Sequence, residues 1–222
     1  MGAGKLRGQA EPVAAIIMIG IVLTLSILLL SLFASQYSNV SEERARIEYL
    51  NSLASTVDIL LVYSSSRESP EGAITCHMVE AVNIGGSKQT LWIAFAWALE
   101  ASEARIKLAE SKVSIYAVKS DEGIFKPPPC GTLTPLIGEL IEVGRPLPIS
   151  KIMTREGLRL DEVGNNPNIN VNYTIITLNP GESKTLYVQY TGQPQGGYPL
   201  AIIMGSFNNK YYMASYRILP SY

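Results

Sequence analysis

The chain of 222 residues has one histidine, His77, and two cysteines, Cys76 and Cys130. A thiol beside an imidazole can bind metal or act as a nucleophile with its base. A protein metal site needs three or four ligands, and only Cys130 remains as a further Cys or His. A Cys/His enzyme needs its thiol free. No G-x-S-x-G, H-E-x-x-H or EF-hand loop occurs, and the early "GAGK" lacks the G-x-x-x-x-G-K-[ST] spacing of a phosphate loop. These residues point away from an enzyme and imply neither cofactor nor metal. The formal net charge is −1, which gives no electrostatic case for a nucleic-acid partner. Two N-x-[ST] sequons, at Asn39 and Asn172, are candidate glycosylation sites. Asn172 is expected on the polar face of a strand, and Asn39 on a helix.

The elements that would position these residues begin with an uncharged run, Val13–Ala34. As a helix, about 22 residues span roughly 33 Å, which matches a bilayer core. A secretory h-region is shorter and ends at an A-x-A-like site, which is missing after "LFASQ". Lys5 and Arg7 precede the run and no cation follows closely, so the N-terminus is expected in the cytoplasm and Ser35 onward outside. Val40, Ile47, Leu50, Ala54, Val57 and Leu61 then recur mostly three or four apart, as one stripe of a helix. No Gly or Pro interrupts from Ile21 to Arg67. The pattern predicts one helix from about Pro12 to about Ser64, with Pro12 in its first turn, where the missing N–H costs nothing.

The start "KLRG-QAEPVAAIIMIGIVL" resembles the class III signal peptide of archaeal type IV pilins and the related archaellins. The resemblance covers roughly the first 60 residues as a pattern. It implies a leader of residues 1–8, removed by a prepilin-type peptidase between Gly8 and Gln9. Residues 9–66 would then be a helix that spans the membrane in the precursor and forms the core of the assembled filament, and residues 67–222 an extracellular domain. It also implies a homopolymer as the partner state, pilus assembly machinery, and membrane contact before assembly. Glu11, Pro12, Ile16, Ile21, Leu25, Leu28, Ile47, Leu50, Val57 and Leu61 would be its assembly residues. Glu11 departs from the many pilins that place the acid at the fifth mature position, since here it is third; it either neutralises a neighbour's amine or sits at the headgroups. An archaellum subunit and a monomeric surface protein anchored by the same helix are the alternatives.

Past Ala73 the period shifts toward two. "AITCHMVEAVNIGG" and "KQTLWIAFAWAL" are expected to form a hairpin about Gly85-Gly86. "KVSIYAVK" predicts a further strand. Ile169, Val171, Tyr173 and Ile175 share one face of the next, with Asn170, Asn172 and Thr174 on the other. "NPG" leads into a strand with Leu186, Val188 and Tyr190 facing one way, and a final hairpin turns at Asn208-Asn209. The expected fold class is α+β: a long N-terminal helix, then an immunoglobulin-like β-sandwich of roughly seven to nine strands. The Pro- and Gly-rich middle is expected to be long loops with two short strands. If this domain is extracellular, Cys76 and Cys130 most simply form one disulfide, worth roughly 4 kcal/mol in the chain-entropy model; the alternative is two unlinked buried thiols. The many tyrosines near the C-terminus serve either sheet packing or subunit contacts.

Overall fold

The computed structural model describes residues 7–70, 72–119, 125–135, 138–154, 157–162, 169–194 and 196–220. The fold is α+β, one long apolar helix followed by a two-sheet β-sandwich. Two units divide the chain, Met1–Ile47 and Glu48–Tyr222.

The helix α1 runs Arg7–Thr56. It therefore includes Pro12 as its sixth described residue rather than in its first turn, and it stops about eight residues before the expected end. Its last turn is weakened from within: Thr56 Oγ1 and Ser55 Oγ both donate to the Ser52 carbonyl, at 2.7 and 3.1 Å, and such side-chain bonds compete with the helical ladder. Beyond Thr56, the β-branched Val57 and Ile59 begin strand β1, Val57–Ser69. Val57, Ile59 and Leu61 fit a period of two as well as Val57 and Leu61 fit a helical stripe. Pairing with β2, Gly72–Asn83, decides between them: β1 and β2 form a full antiparallel hairpin from Val57↔Asn83 to Ser69↔Gly72.

The other strands are β3 (Gln89–Ala101), β4 (Arg105–Ala109), β5 (Lys112–Lys119), β6 (Glu139–Glu142), β7 (Arg145–Pro148), β8 (Ile152–Met153), β9 (Arg159–Glu162), β10 (Asn170–Leu178), β11 (Ser183–Thr191), β12 (Tyr198–Phe207) and β13 (Lys210–Ile218). Among the described residues, thirteen strands exceed the expected seven to nine. The surplus lies in β1, cut from the expected helix, in β4, which was not expected, and in four short strands across the middle segment, where two were expected. One sheet has the order β1-β2-β11-β5-β6; the other follows β7-β10-β3-β12-β13-β8, with β4 on β3 and β9 on β4.

The expected hairpin of β2 and β3 does not form. β2 pairs β1 and β11, while β3 pairs β10, β12 and β4, so the Gly85-Gly86 turn is an arch from one sheet to the other. The "NPG" turn between β10 and β11 is a second such arch. Buried Asn83 holds the two side by side. Its Nδ2 donates to the Ser87 carbonyl at 2.8 Å and the Leu178 carbonyl at 3.2 Å, and its carbonyl accepts the Gly181 N–H at 2.9 Å. An arch replaces a hairpin because both strands carry apolar side chains that meet in one core. Leu91, Ile93, Phe95 and Trp97 of β3 face Val79 and Ala81 of β2 and Leu186, Val188 and Tyr190 of β11, the last three on one face as expected.

The opposite face of β3 is also buried. Ala94, Ala96 and Ala98 join Val171, Tyr173, Leu200, Ile202 and Met204 in a second core. A flat path of six strands would set β7 and β8 roughly 24 Å apart at about 4.8 Å per strand. Four residue steps from Pro148 to Ile152 reach at most about 14 Å. The sheet must therefore roll so that its two edges approach. A concave face has less room per residue, which suits the three alanines there. The final hairpin forms as expected, with Asn208 and Asn209 at φ 51° and 59°, the left-handed pair that a tight two-residue turn requires.

Candidate functional site

Among the described residues, no three His, Cys, Asp or Glu stand close enough to hold a metal ion. Cys76 and Cys130 are joined in a disulfide with Cα atoms 5.6 Å apart. It lies on the outer face of the first sheet, against Tyr116 and Tyr187, and ties the Pro-rich segment to β2. His77 points the other way, into the core. It is wholly buried, its ring meets Tyr190 edge-on at 5.7 Å, and its Nε2 lies 3.5 Å from Ser64 Oγ. Burial lowers its pKa to about 4, so the ring is neutral in the folded protein at ordinary pH. Burial likewise raises the Tyr187 hydroxyl to about 12, with Tyr63 and Tyr116 adding to the effect, and pushes Tyr190 upward. These groups are placed for packing. A cleft of about 500 Å³ between the sheets is lined by Phe125, Val143, Ile175 and Lys184 among others. Its one ionisable group, Lys184, donates to the Thr177 carbonyl at 2.9 Å.

Asn172 is not on a solvent face. Its register partner is Phe95, and its Nδ2 donates to the Val113 carbonyl of β5, across the gap between the sheets. The strand's burial explains the error: Val171 and Tyr173 face the second core, Ile176 and Leu178 the first, and Ile175 is 45% exposed. A glycan on Asn172 would require that bond to break. Asn39 is exposed on α1. Of the tyrosines, Tyr187 and Tyr190 are fully buried, and Tyr198, Tyr211 and Tyr216 pack against the second core; Tyr222 lies outside the described residues.

Among the described residues, the longest run of exposed large apolar side chains is on α1. From Val13 to Thr56 it is long and apolar enough to cross a membrane by length and composition. Ile16, Ile21, Leu25 and Leu28 are 69%, 50%, 54% and 54% exposed, and Ile47 is 47% exposed. The hydroxyls within the run turn back onto the helix: Thr24 Oγ1 donates to the Gly20 carbonyl at 2.7 Å, and Ser26 Oγ to the Val22 carbonyl and Ser31 Oγ to the Leu28 carbonyl at 2.8 Å. No hydroxyl hydrogen there demands a polar neighbour, which suits either lipid or an apolar bundle.

The expected assembly residues divide at the end of the helix. In the second unit, Tyr49, Leu50 and Leu53 pack over Gly205 of β12, with Leu53 wholly buried. Val57 is 1% exposed and Leu61 packs against the same core. Val57 and Leu61 are thus sandwich residues rather than helix-seam residues, and Leu50 belongs to the docked end. Gly8, Gln9, Glu11 and Pro12 lie in α1 by their backbone; their side chains fall outside the described residues.

The chain matches no family model, no curated protein and no solved structure.

Proposed function

We propose that this protein is the structural subunit of an archaeal type IV pilus-like extracellular filament, used for adhesion. In this reading a prepilin peptidase removes residues 1–8, α1 leaves the membrane, and the helices of successive copies bundle in the filament core. The observation that carries the proposal is the long run of exposed apolar side chains on α1, followed in the chain by a disulfide-pinned sandwich. In a bundle, apolar contact between helices replaces contact with lipid, and a repeated heterologous contact that does not close gives a helical polymer. The disulfide accords with an oxidising, extracellular setting for the sandwich.

N-terminal mass spectrometry of surface material tests the reading, combined with negative-stain microscopy. A mature start at Gln9 in filamentous material is expected. An intact Met1 on a dispersed membrane protein would instead favour the monomeric anchored form and overturn the filament.

A further inference from the structure

We infer that Pro12 is a positioning residue for removal of the leader, because it leaves the carbonyl of the bond to be cut without its helical partner. The inference rests on the proposed cleavage between Gly8 and Gln9. In an α-helix the N–H of residue i bonds the carbonyl of residue i−4. The helix α1 runs through Gly8, Gln9 and Pro12 without a break. Proline has no N–H, and its ring crowds the carbonyl of residue i−4. For Pro12 that carbonyl belongs to Gly8, the acyl side of the Gly8–Gln9 bond.

The chemistry makes this register significant. Hydrolysis adds the hydroxyl of a water to the Gly8 carbonyl carbon and transfers a proton to the Gln9 nitrogen as the bond between them breaks. The carbonyl oxygen gathers charge in that step and must be open to the peptidase's donors. A carbonyl held in the helical ladder has to be released first. Gly8 is already a poor helix residue and has no Cβ to hinder close approach. Pro12 removes the remaining constraint at that one carbonyl.

The same placement costs the product nothing. Once Gln9 is the first residue, Pro12 is the fourth, and the first four N–H groups of a helix have no intrahelical partner. One proline thus loosens the precursor at the scissile bond and leaves the mature helix intact. A proline elsewhere in the helix interior would not do both.

The test is the rate of leader loss from full-length precursor in peptidase-containing membranes, followed by pulse-chase and mass spectrometry. Pro12→Ala is expected to mature on the order of tenfold more slowly, because the ladder closes over Gly8. In a second variant, Pro12→Ala with Val13→Pro, the freed carbonyl is that of Gln9 instead, and slow maturation should persist. Maturation of Pro12→Ala at the wild-type rate would overturn the inference. So would full rescue by the shifted proline, since general helix weakening would then suffice. If the wild-type chain is never cut at Gly8, the proposed function itself fails, and that result is separate from any effect of Pro12.

Discussion

The apolar run of α1 and strand β3 have much the same side-chain chemistry and meet opposite fates. From Val13 to Phe33 the large apolar side chains are 50–69% exposed. In β3, Leu91 and the residues from Ile93 to Ala98 are at most 6% exposed. The strand is covered on both faces by its own chain, by the two cores on either side of it. Along the apolar run of the helix the same kinds of side chain stand exposed. Hydrophobic burial is as favourable for one as for the other, so the two regions differ in what covers them and not in their chemistry. The difference teaches that hydrophobicity alone does not mark a core residue; the presence of a partner from the same chain does.

The sharpest way to break this comparison is to truncate one side chain in each region. Phe95→Ala should cost about 3–5 kcal/mol of sandwich stability in chemical denaturation, as for a large side chain removed from a packed core. Leu25→Ala should leave that transition within about 0.5 kcal/mol while weakening membrane retention or filament formation. Equal losses in both would show that α1 is buried by its own chain after all.

Removing the disulfide by Cys76→Ser with Cys130→Ser should cost roughly 2–4 kcal/mol, read as a lower unfolding midpoint of the sandwich. The membrane behaviour of α1 should not change.

Acid should act on the sandwich through His77. Burial holds its folded pKa at about 4, below the ordinary imidazole value of 6.5. Between those values the unfolded chain binds more protons than the folded one, so stability rises with pH there. The contribution is complete above about pH 6.5 and is lost as pH falls through 4, to a total of about 3 kcal/mol. In His77→Phe the ring stays against Tyr190 without a titrating nitrogen, and that slope between pH 6.5 and 4 should flatten.

The smallest effect should come at the junction. A Cβ at Gly205 would sit 2.6 Å from Tyr49 Cε1 and 2.9 Å from Leu53 Cδ1. Gly205→Ala should therefore cost about 1–3 kcal/mol by overpacking, measured by thermal unfolding. A neutral result would mean that the docked end of α1 yields easily.

Much of the fold was legible because it is decided locally. The uncharged run from Val13 to Ala34 could hardly be anything but a long apolar helix. Asn208-Asn209 specified its hairpin through backbone geometry, and Leu186, Val188 and Tyr190 declared their common face by a period of two. The disulfide was legible in the same way, since two cysteines leave one intramolecular pairing. What misled was every choice that depends on a distant strand. Val57 and Leu61 satisfy a helical and an extended pattern at once. The Gly85-Gly86 turn serves a hairpin or an arch equally well. Asn172 alternates with apolar neighbours, but its amide reaches across to the Val113 carbonyl of β5, because its face of β10 turns toward the first sheet.

The sequence by itself determined the apolar helix, the strand-rich second part and the turn at Asn208-Asn209, since these follow from side-chain chemistry and the steric limits of a few adjacent residues. Only the tertiary structure decided that α1 stops at Thr56, that β2 and β3 lie in different sheets, and that one sheet rolls around the alanines of β3. Those outcomes depend on which remote strand supplies the next row of hydrogen bonds and the opposite wall of the core, and a local pattern carries no record of its partner.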